Sequence, residues 1–164
     1  MSHTLTHLHA SRPVTGLAAL ARRYAEDPSN WPFAPRFNPV SRWYARIGGD
    51  RTHEAWLLTW LPGQSTDLHD HGGSAGAFVV VSGVLTEQVA TVAGAGPVTP
   101  VETTLAAGAV RAFGPRHVHR IVNAVTAPAV SLHVYAPSLT QMTRYRIDDG
   151  VLSVEVVEKA GVDW

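Results

Sequence analysis

The chain has 164 residues with 13 basic and 13 acidic side chains, so its formal net charge is zero when histidine is neutral. That length suits one domain with one core. No basic tract or basic helix face stands out, which argues against nucleic acid as a partner. The longest apolar runs are too short to span a bilayer, and the first ten residues carry three histidines without an apolar core. We therefore expect no secretory signal, no membrane partner and a cytoplasmic location.

Cysteine is absent from the chain, whereas histidine is abundant. The sequence has no Cys and nine His, so neither disulfides nor thiolate metal ligands are available. Any metal must bind to His, Asp or Glu side chains or to backbone oxygen. The placement of the histidines therefore carries most of the functional information.

The N-terminal quarter predicts one helix followed by an extended segment. Residues 14–26 carry Leu17, Leu20, Ala21 and Tyr24 at helical spacing, and Asp27-Pro28 ends the pattern. Residues 30–39 contain three prolines and are expected to lie extended over a core.

From residue 41 onward the pattern predicts short strands separated by Gly- and Pro-containing turns. The strands are expected at 41–47, 54–61, 67–71, 77–81, 84–92, 101–105, 110–113, 117–125, 129–135, 144–147 and 151–157. A loop is expected at 93–100, and Asp148-Asp149-Gly150 predicts a tight hairpin. The spacing favours an all-β sandwich or barrel. We expect a single domain over 1–164, with the helical and extended segment at 1–40 and the barrel at 41–158.

A candidate metal site begins at His69-Asp70-His71. In a strand, residues i and i+2 point to the same face, so both imidazoles can meet one ion. Taken alone, the motif is more often two polar residues on a solvated face. A second histidine-rich segment, His117-Val118-His119, follows about 50 residues later.

Together the two segments resemble the paired motifs of the cupin superfamily. The residues that fit the first motif are Gly63, His69, His71 and Gly83. The residues that fit a slightly displaced second motif are Gly108, Pro115, His119 and Asn123. His119, rather than His117, has the right spacing to Asn123. Most cupins have a carboxylate ligand where this chain has Gly76, and Asp67 is the alternative acid on the histidine face.

Further segments resemble cysteine dioxygenase and related thiol dioxygenases. They are LHDH at 68–71 followed by Ser74, HRIVN at 119–123, SLHVY at 131–135 and YAR at 44–46. The resemblance covers roughly residues 42–137 and implies a cupin-type β-barrel, or jelly roll. It also implies an enzyme that oxidises cysteine to cysteine sulfinate with O2.

The resemblance implies a role for each matching residue. Fe(II) would be held by His69, His71 and His119. The substrate carboxylate would be bound by Arg46 with help from Tyr44. The catalytic hydrogen-bonding row would be Tyr135, His133 and Ser131. Mammalian members cross-link a cysteine to the active-site tyrosine, whereas this chain has Gly76 there, as bacterial members do.

Three alternatives to cysteine oxidation stay open on the sequence alone. The substrate could be another thiol carboxylate, such as 3-mercaptopropionate. The chain could also be a metal-dependent cupin acting on a substrate without a thiol, or a non-catalytic cupin that binds a metal or ligand. In the first two cases the expected partners are small molecules, with O2 as co-substrate of a thiol dioxygenase, and the chain is expected to be a monomer.

Overall fold

A computed structural model describes residues 14–91 and 97–160. It has one α-helix, α1 at Val14–Glu26, and a short 3-10 turn at Pro28–Asn30. Within the described residues the strands are β1 Tyr44–Gly49, β2 Glu54–Trp60, β3 Leu68–His69, β4 Ala75–Ser82, β5 Val84–Val89, β6 Val101–Ala106, β7 Val110–Phe113, β8 His119–Val122, β9 Ala129–Ala136, β10 Gln141–Asp148 and β11 Val151–Lys159.

The strands form two antiparallel sheets, which confirms the expected all-β fold with a short N-terminal helix. One sheet has the order β1-β2-β9-β4-β7, and the other has the order β11-β10-β3-β8-β5-β6. Several neighbours, such as β2 and β9 or β3 and β8, are far apart in the chain, as in a jelly roll. No helix among the described residues is long and apolar enough to cross a membrane.

Two hydrophobic clusters lie on opposite faces of the five-stranded sheet. On one face, α1 buries Leu17 and Leu20 against strand residues that include Leu132. On the other face, Trp60 and Phe78 pack with residues of the second sheet. Strand β9 is buried at every position because it is covered on both sides. This explains why β9 lacks the polar and apolar alternation of a half-exposed strand.

The predicted elements match the structure in kind and differ in extent. The helix has the expected bounds, but the strand expected at 67–71 pairs only over Leu68–His69. The last hairpin turns at Asp149 and Gly150, which have φ angles of 48° and 78°, as its sequence predicts. Part of the loop expected at 93–100 lies outside the described residues.

Candidate metal centre

Three buried histidines come together between the sheets. His69 on β3 pairs in register with His119 on β8, and His71 follows two residues after His69. Their ring centroids are 4.9, 4.9 and 5.0 Å apart, and one nitrogen from each ring lies within 4.8 Å of the others. The structure thus brings together the three histidines that were expected to bind a metal.

The hydrogen bonds of these rings leave suitable nitrogens for an ion. His69 Nδ1–H donates to the Asp67 carbonyl oxygen at 2.8 Å, and His119 Nδ1–H donates to the Glu87 carboxylate at 2.8 Å. Each ring therefore keeps Nε2 as a potential ligand. Both nitrogens of His71 are buried and have no hydrogen-bond partner among the described residues. A buried polar atom without a partner is costly, so a metal ion fits this arrangement.

Burial keeps the three imidazoles neutral. Desolvation, followed by repulsion from His119, lowers the pKa of His69 to about 3. Desolvation also lowers the pKa of His71 and of His119 below its ordinary value. Neutral imidazoles have the free lone pair that a metal ligand requires. Among the described residues, no Asp or Glu side chain joins these three histidines as a possible fourth ligand.

Phe113 and Tyr135 both pack against the ring of His71. The His71 ring stacks on Phe113 at 4.7 Å and on Tyr135 at 5.2 Å. Gly76 lies opposite Tyr135 in the sheet, and a Cβ added at Gly76 would be 2.5 Å from Phe113 Cζ. Phe113 therefore fills the space beside Gly76.

Ser131, His133 and Tyr135 form a buried hydrogen-bonded row on β9. Ser131 Oγ is 2.8 Å from His133 Nε2, and His133 Nδ1 is 3.2 Å from the Tyr135 hydroxyl. The Trp60 indole N–H donates to Ser131 Oγ at 2.8 Å. His133 and Tyr135 line the cavity beside the histidines, and Ser131 lies behind them.

The partners of Ser131 set the direction of the row. Its buried hydroxyl proton has no acceptor among the described residues except His133 Nε2, so Ser131 donates there. His133 Nδ1–H must then donate to the Tyr135 oxygen, which leaves the Tyr135 hydroxyl proton free to donate into the cavity. Burial raises the pKa of Tyr135, so the phenol stays protonated at neutral pH.

The cavity itself has a volume of about 170 Å³ and reaches His69 and His119. Its apolar walls are Tyr44, Trp56, Leu58, Trp60, Ile121 and Met142. Arg42 also lines it, with the guanidinium carbon 4.9 Å from the centre of the Trp60 ring. No described carboxylate lies within ion-pair distance of Arg42, so its guanidinium forms no ion pair among the residues that the structure describes.

Arg46 lies elsewhere, and this corrects the expectation that it faces the histidines. Its side chain is 51% exposed, and its Nε is 3.9 Å from the Glu54 carboxylate. It is not among the described residues that line the cavity. A β-bulge follows Arg46 in β1, and the buried carboxylate of Glu54 attracts its guanidinium. Tyr44, as expected, does line the cavity.

The rim of the cavity carries a second arginine whose charge is already matched. Arg144 is 2.8 Å from the Asp67 carboxylate and 2.8 Å from the Glu158 carboxylate. Asp67 is thus paired with Arg144 rather than free to act as a metal ligand. Asp70 points away from the histidines and accepts hydrogen bonds from the Thr143 N–H and the Tyr145 hydroxyl.

Sequence reasoning missed three residues at this site: Arg42, Trp60 and Glu87. Arg42 precedes Tyr44 by two positions and so could have been placed on the same face. Glu87 follows the buried Leu85 by two positions on β5, and an acidic residue at an inward position is a signal in itself. The sequence position of Trp60 gives no sign of its bond to Ser131.

Residues 8–148 match the sequence model of the family described as cysteine dioxygenase type I. Among solved structures, the protein TT1209 from Thermus thermophilus is 25% identical, with a TM-score of 0.55 and coverage of 63% of this chain and 90% of that chain. A Klebsiella pneumoniae protein with a double-stranded β-helix domain is 17% identical, with a TM-score of 0.54 and coverage of 74% and 90%.

A sugar phosphate isomerase of the cupin superfamily from Silicibacter pomeroyi is 22% identical to this chain, with a TM-score of 0.53 and coverage of 80% of this chain and 85% of that chain. At this level of identity the likeness concerns the fold. Together with the double-stranded β-helix neighbour, it confirms the expected cupin-type barrel.

Proposed function

Because the chain belongs to the cysteine dioxygenase type I family, we propose that it is an iron-dependent dioxygenase that oxidises the thiol of cysteine to a sulfinate with O2. The observation that carries the proposal is that Arg42 lines one small cavity together with His69 and His119, two members of the buried three-histidine cluster. A metal and a cation in one small cavity suit a small substrate that carries both a thiol and a carboxylate.

His69, His71 and His119 would hold the ion. Imidazole ligands suit Fe, Zn, Cu or Ni, and the reaction favours iron because Fe(II) can share electron density with oxygen whereas Zn cannot. Bound Fe(II) would supply the redox chemistry that adds oxygen to sulfur. The neutral, hydrogen-bonded rings of His69 and His119 are ready to bind the ion without losing a proton.

Arg42 would bind the substrate carboxylate. Its guanidinium can form a paired, charge-assisted contact with a carboxylate, and no carboxylate of the described residues forms an ion pair with it. The stacking on Trp60 holds the guanidinium in place. Tyr44 lies on the same face of the chain two residues later and lines the same cavity. This assignment replaces the role that the family resemblance gave to Arg46.

Tyr135 would donate a hydrogen bond from its hydroxyl to an oxygen atom on which negative charge develops during the reaction. The row orients that hydroxyl because Ser131 donates to His133, and His133 in turn donates to the Tyr135 oxygen. The Tyr135 proton is therefore left to point into the cavity. Preorganised donors of this kind are among the largest contributions to catalysis, because they need no rearrangement during the reaction. His133 and Ser131 would act through Tyr135 and not on the substrate.

The second candidate substrate is a thiol carboxylate without an amino group, such as 3-mercaptopropionate. The acidic side chains at the cavity, Asp67 and Glu158, are both paired with Arg144. Neither is free to bind a substrate ammonium group, and this favours 3-mercaptopropionate as an alternative to cysteine. We further propose that the chain works in the cytoplasm as a monomeric single domain.

The proposal is tested by oxygen uptake of the iron-loaded protein with a panel of thiols. Cysteine or 3-mercaptopropionate should be consumed with formation of the sulfinate, whereas cysteamine, which lacks the carboxylate, should be a poor substrate. Oxidation of cysteamine at the same rate would contradict the role of Arg42. Absence of oxygen uptake with every thiol would favour a cupin that acts on other substrates or only binds a ligand.

A further inference from the structure

Glu87 on β5 is a fully buried carboxylate with three hydrogen-bond donors around it. Its side chain accepts from His119 Nδ1 at 2.8 Å, from His117 Nε2 at 3.1 Å and from Arg111 Nε at 2.8 Å. Its exposure is 0%. Burial alone would raise the pKa of Glu87, but hydrogen bonds from His117, His119 and Arg111 outweigh it and lower the pKa well below its usual range.

The same side chains could be interpreted as a second metal site. Nitrogens of His117 and His119 and a carboxylate oxygen of Glu87 lie within 4.8 Å of one another. Arg111 argues against this, because its guanidinium lies 2.8 Å from the carboxylate and would repel a cation. The two histidine nitrogens that face Glu87 also lie at hydrogen-bond distance from its carboxylate, as expected for N–H groups that donate to it. The cluster is therefore a polar network behind the three-histidine cluster.

We propose that Glu87 is a positioning residue, which fixes the His119 ring with Nε2 toward the metal and makes that nitrogen a stronger ligand. A carboxylate that accepts from the far nitrogen of a metal-binding imidazole fixes its tautomer and orientation and raises its basicity. The inference rests on the proposed metal site and does not depend on which thiol is the substrate.

The three histidines differ in how their far nitrogens are supported. His69 donates to a neutral backbone carbonyl, and neither nitrogen of His71 has a hydrogen-bond partner within the part of the chain that the structure describes. Only His119 among the three donates to a charged group. Loss of the Glu87 charge should therefore affect the metal more than any other single change behind the ligands. Arg111 partly neutralises Glu87 and should moderate that effect.

The test compares Glu87→Gln and Glu87→Ala with the native chain in anaerobic titrations with Fe(II). Gln keeps an oxygen that can accept from His119 but loses the charge, and Ala loses both. Affinity should fall about tenfold in Glu87→Gln and about a hundredfold in Glu87→Ala, the range typical of such outer partners. Glu102→Gln is the matched control, since Glu102 is an exposed acid on β6 that bonds to Gln88 and should leave Fe(II) affinity unchanged.

The Fe(III)/Fe(II) midpoint potential separates positioning from mere structural support. It should rise in Glu87→Gln, because His119 becomes a weaker donor and ferric iron is less stabilised. The midpoint potential should fall in Arg111→Met, because the negative charge of Glu87 is then no longer partly neutralised and makes His119 a stronger donor. The Arg111 side chain is 41% exposed, so this variant should fold even if those at Glu87 do not.

Two results would overturn the inference. The first is a potential that does not move in Arg111→Met, or Fe(II) affinity in a folded Glu87→Gln equal to that of the native chain. The second is a stoichiometry of two Fe(II) per native chain with loss of one in Glu87→Gln, which would make Glu87 a ligand. Each is measured without a thiol, so failure here is distinguishable from failure of the proposed reaction.

Discussion

The indole N–H of Trp60 on β2 donates a hydrogen bond to the hydroxyl of Ser131 on β9, at 2.8 Å and fully buried. The two residues are 71 positions apart in the chain, and their strands are neighbours in the five-stranded sheet. The bond fixes the first member of the row that ends at Tyr135. The guanidinium of Arg42 also lies over the ring of Trp60. Trp60 therefore contacts both the row that ends at Tyr135 and the proposed carboxylate-binding arginine.

Ser131→Ala should destabilise the fold and weaken catalysis together. The substitution leaves the buried Trp60 N–H without a partner, which costs about 1–3 kcal/mol in the free energy of unfolding. It also removes the proton that fixes the tautomer of His133, so turnover should fall while Fe(II) affinity is retained. Urea unfolding and steady-state oxygen uptake measure the two effects. Ser82→Ala, at an exposed serine on β4, is the control; equal behaviour of the two variants would contradict this account.

Tyr135→Phe should fold normally and bind iron but turn over more slowly. It removes one oriented donor and keeps the ring that stacks on His71. We expect turnover to fall by about tenfold to a thousandfold, as when one preorganised donor is lost. Tyr24→Phe, on the helix side of the sheet, should retain native turnover. Native turnover in Tyr135→Phe would reduce Tyr135 to a packing role.

Arg42→Ala and Arg46→Ala form a matched pair on one segment of chain. Arg42 lines the cavity and Arg46 pairs with Glu54 outside it. Arg42→Ala should lower kcat/KM for thiol carboxylates by a factor equivalent to about 2–5 kcal/mol, because the buried carboxylate of the substrate loses its partner. Arg46→Ala should change kcat/KM little, because the half-exposed Arg46 side chain is not among the residues that line the cavity.

The kinetics of the arginine pair are measured with cysteine, 3-mercaptopropionate and cysteamine. Cysteamine should lose little further activity in Arg42→Ala, since it has no carboxylate to lose. A large loss in Arg46→Ala with native kinetics in Arg42→Ala would reverse the assignment and restore the role that the family resemblance implies for Arg46.

Gly76→Ala should destabilise the chain through Phe113. The new Cβ would lie 2.5 and 2.6 Å from two atoms of the Phe113 ring and 3.0 Å from the Val134 carbonyl oxygen. Overpacking of this kind costs about 1–3 kcal/mol. The cost should shrink in the double variant Gly76→Ala/Phe113→Leu relative to the sum of the single changes. Gly114→Ala, where a Cβ meets nothing within 4 Å, is the control. Additive losses in the cycle would show that Phe113 is not the cause.

The sequence predicts the three metal-binding histidines better than the residues that surround them. The histidine spacing predicts the three-histidine cluster because strand geometry puts His69 and His71 on one side and motif spacing selects His119 over His117. It does not distinguish Arg42 from Arg46, because both share the period of β1 and only the bulge after Arg46 separates their surroundings. Phe113 beside Gly76 comes from pairing of β4 with β7, a long-range contact that no local pattern encodes.

The central claim is most directly tested by the product formed from isotopically labelled O2. The Fe(II)-loaded native chain is supplied with cysteine and, separately, with 3-mercaptopropionate, and the product is analysed by mass spectrometry. The account predicts a sulfinate that carries two labelled oxygen atoms per sulfur, with no product from a chain in which His119 is replaced by Ala. A disulfide as the only sulfur product, or a sulfinate whose oxygen comes from water, would contradict it.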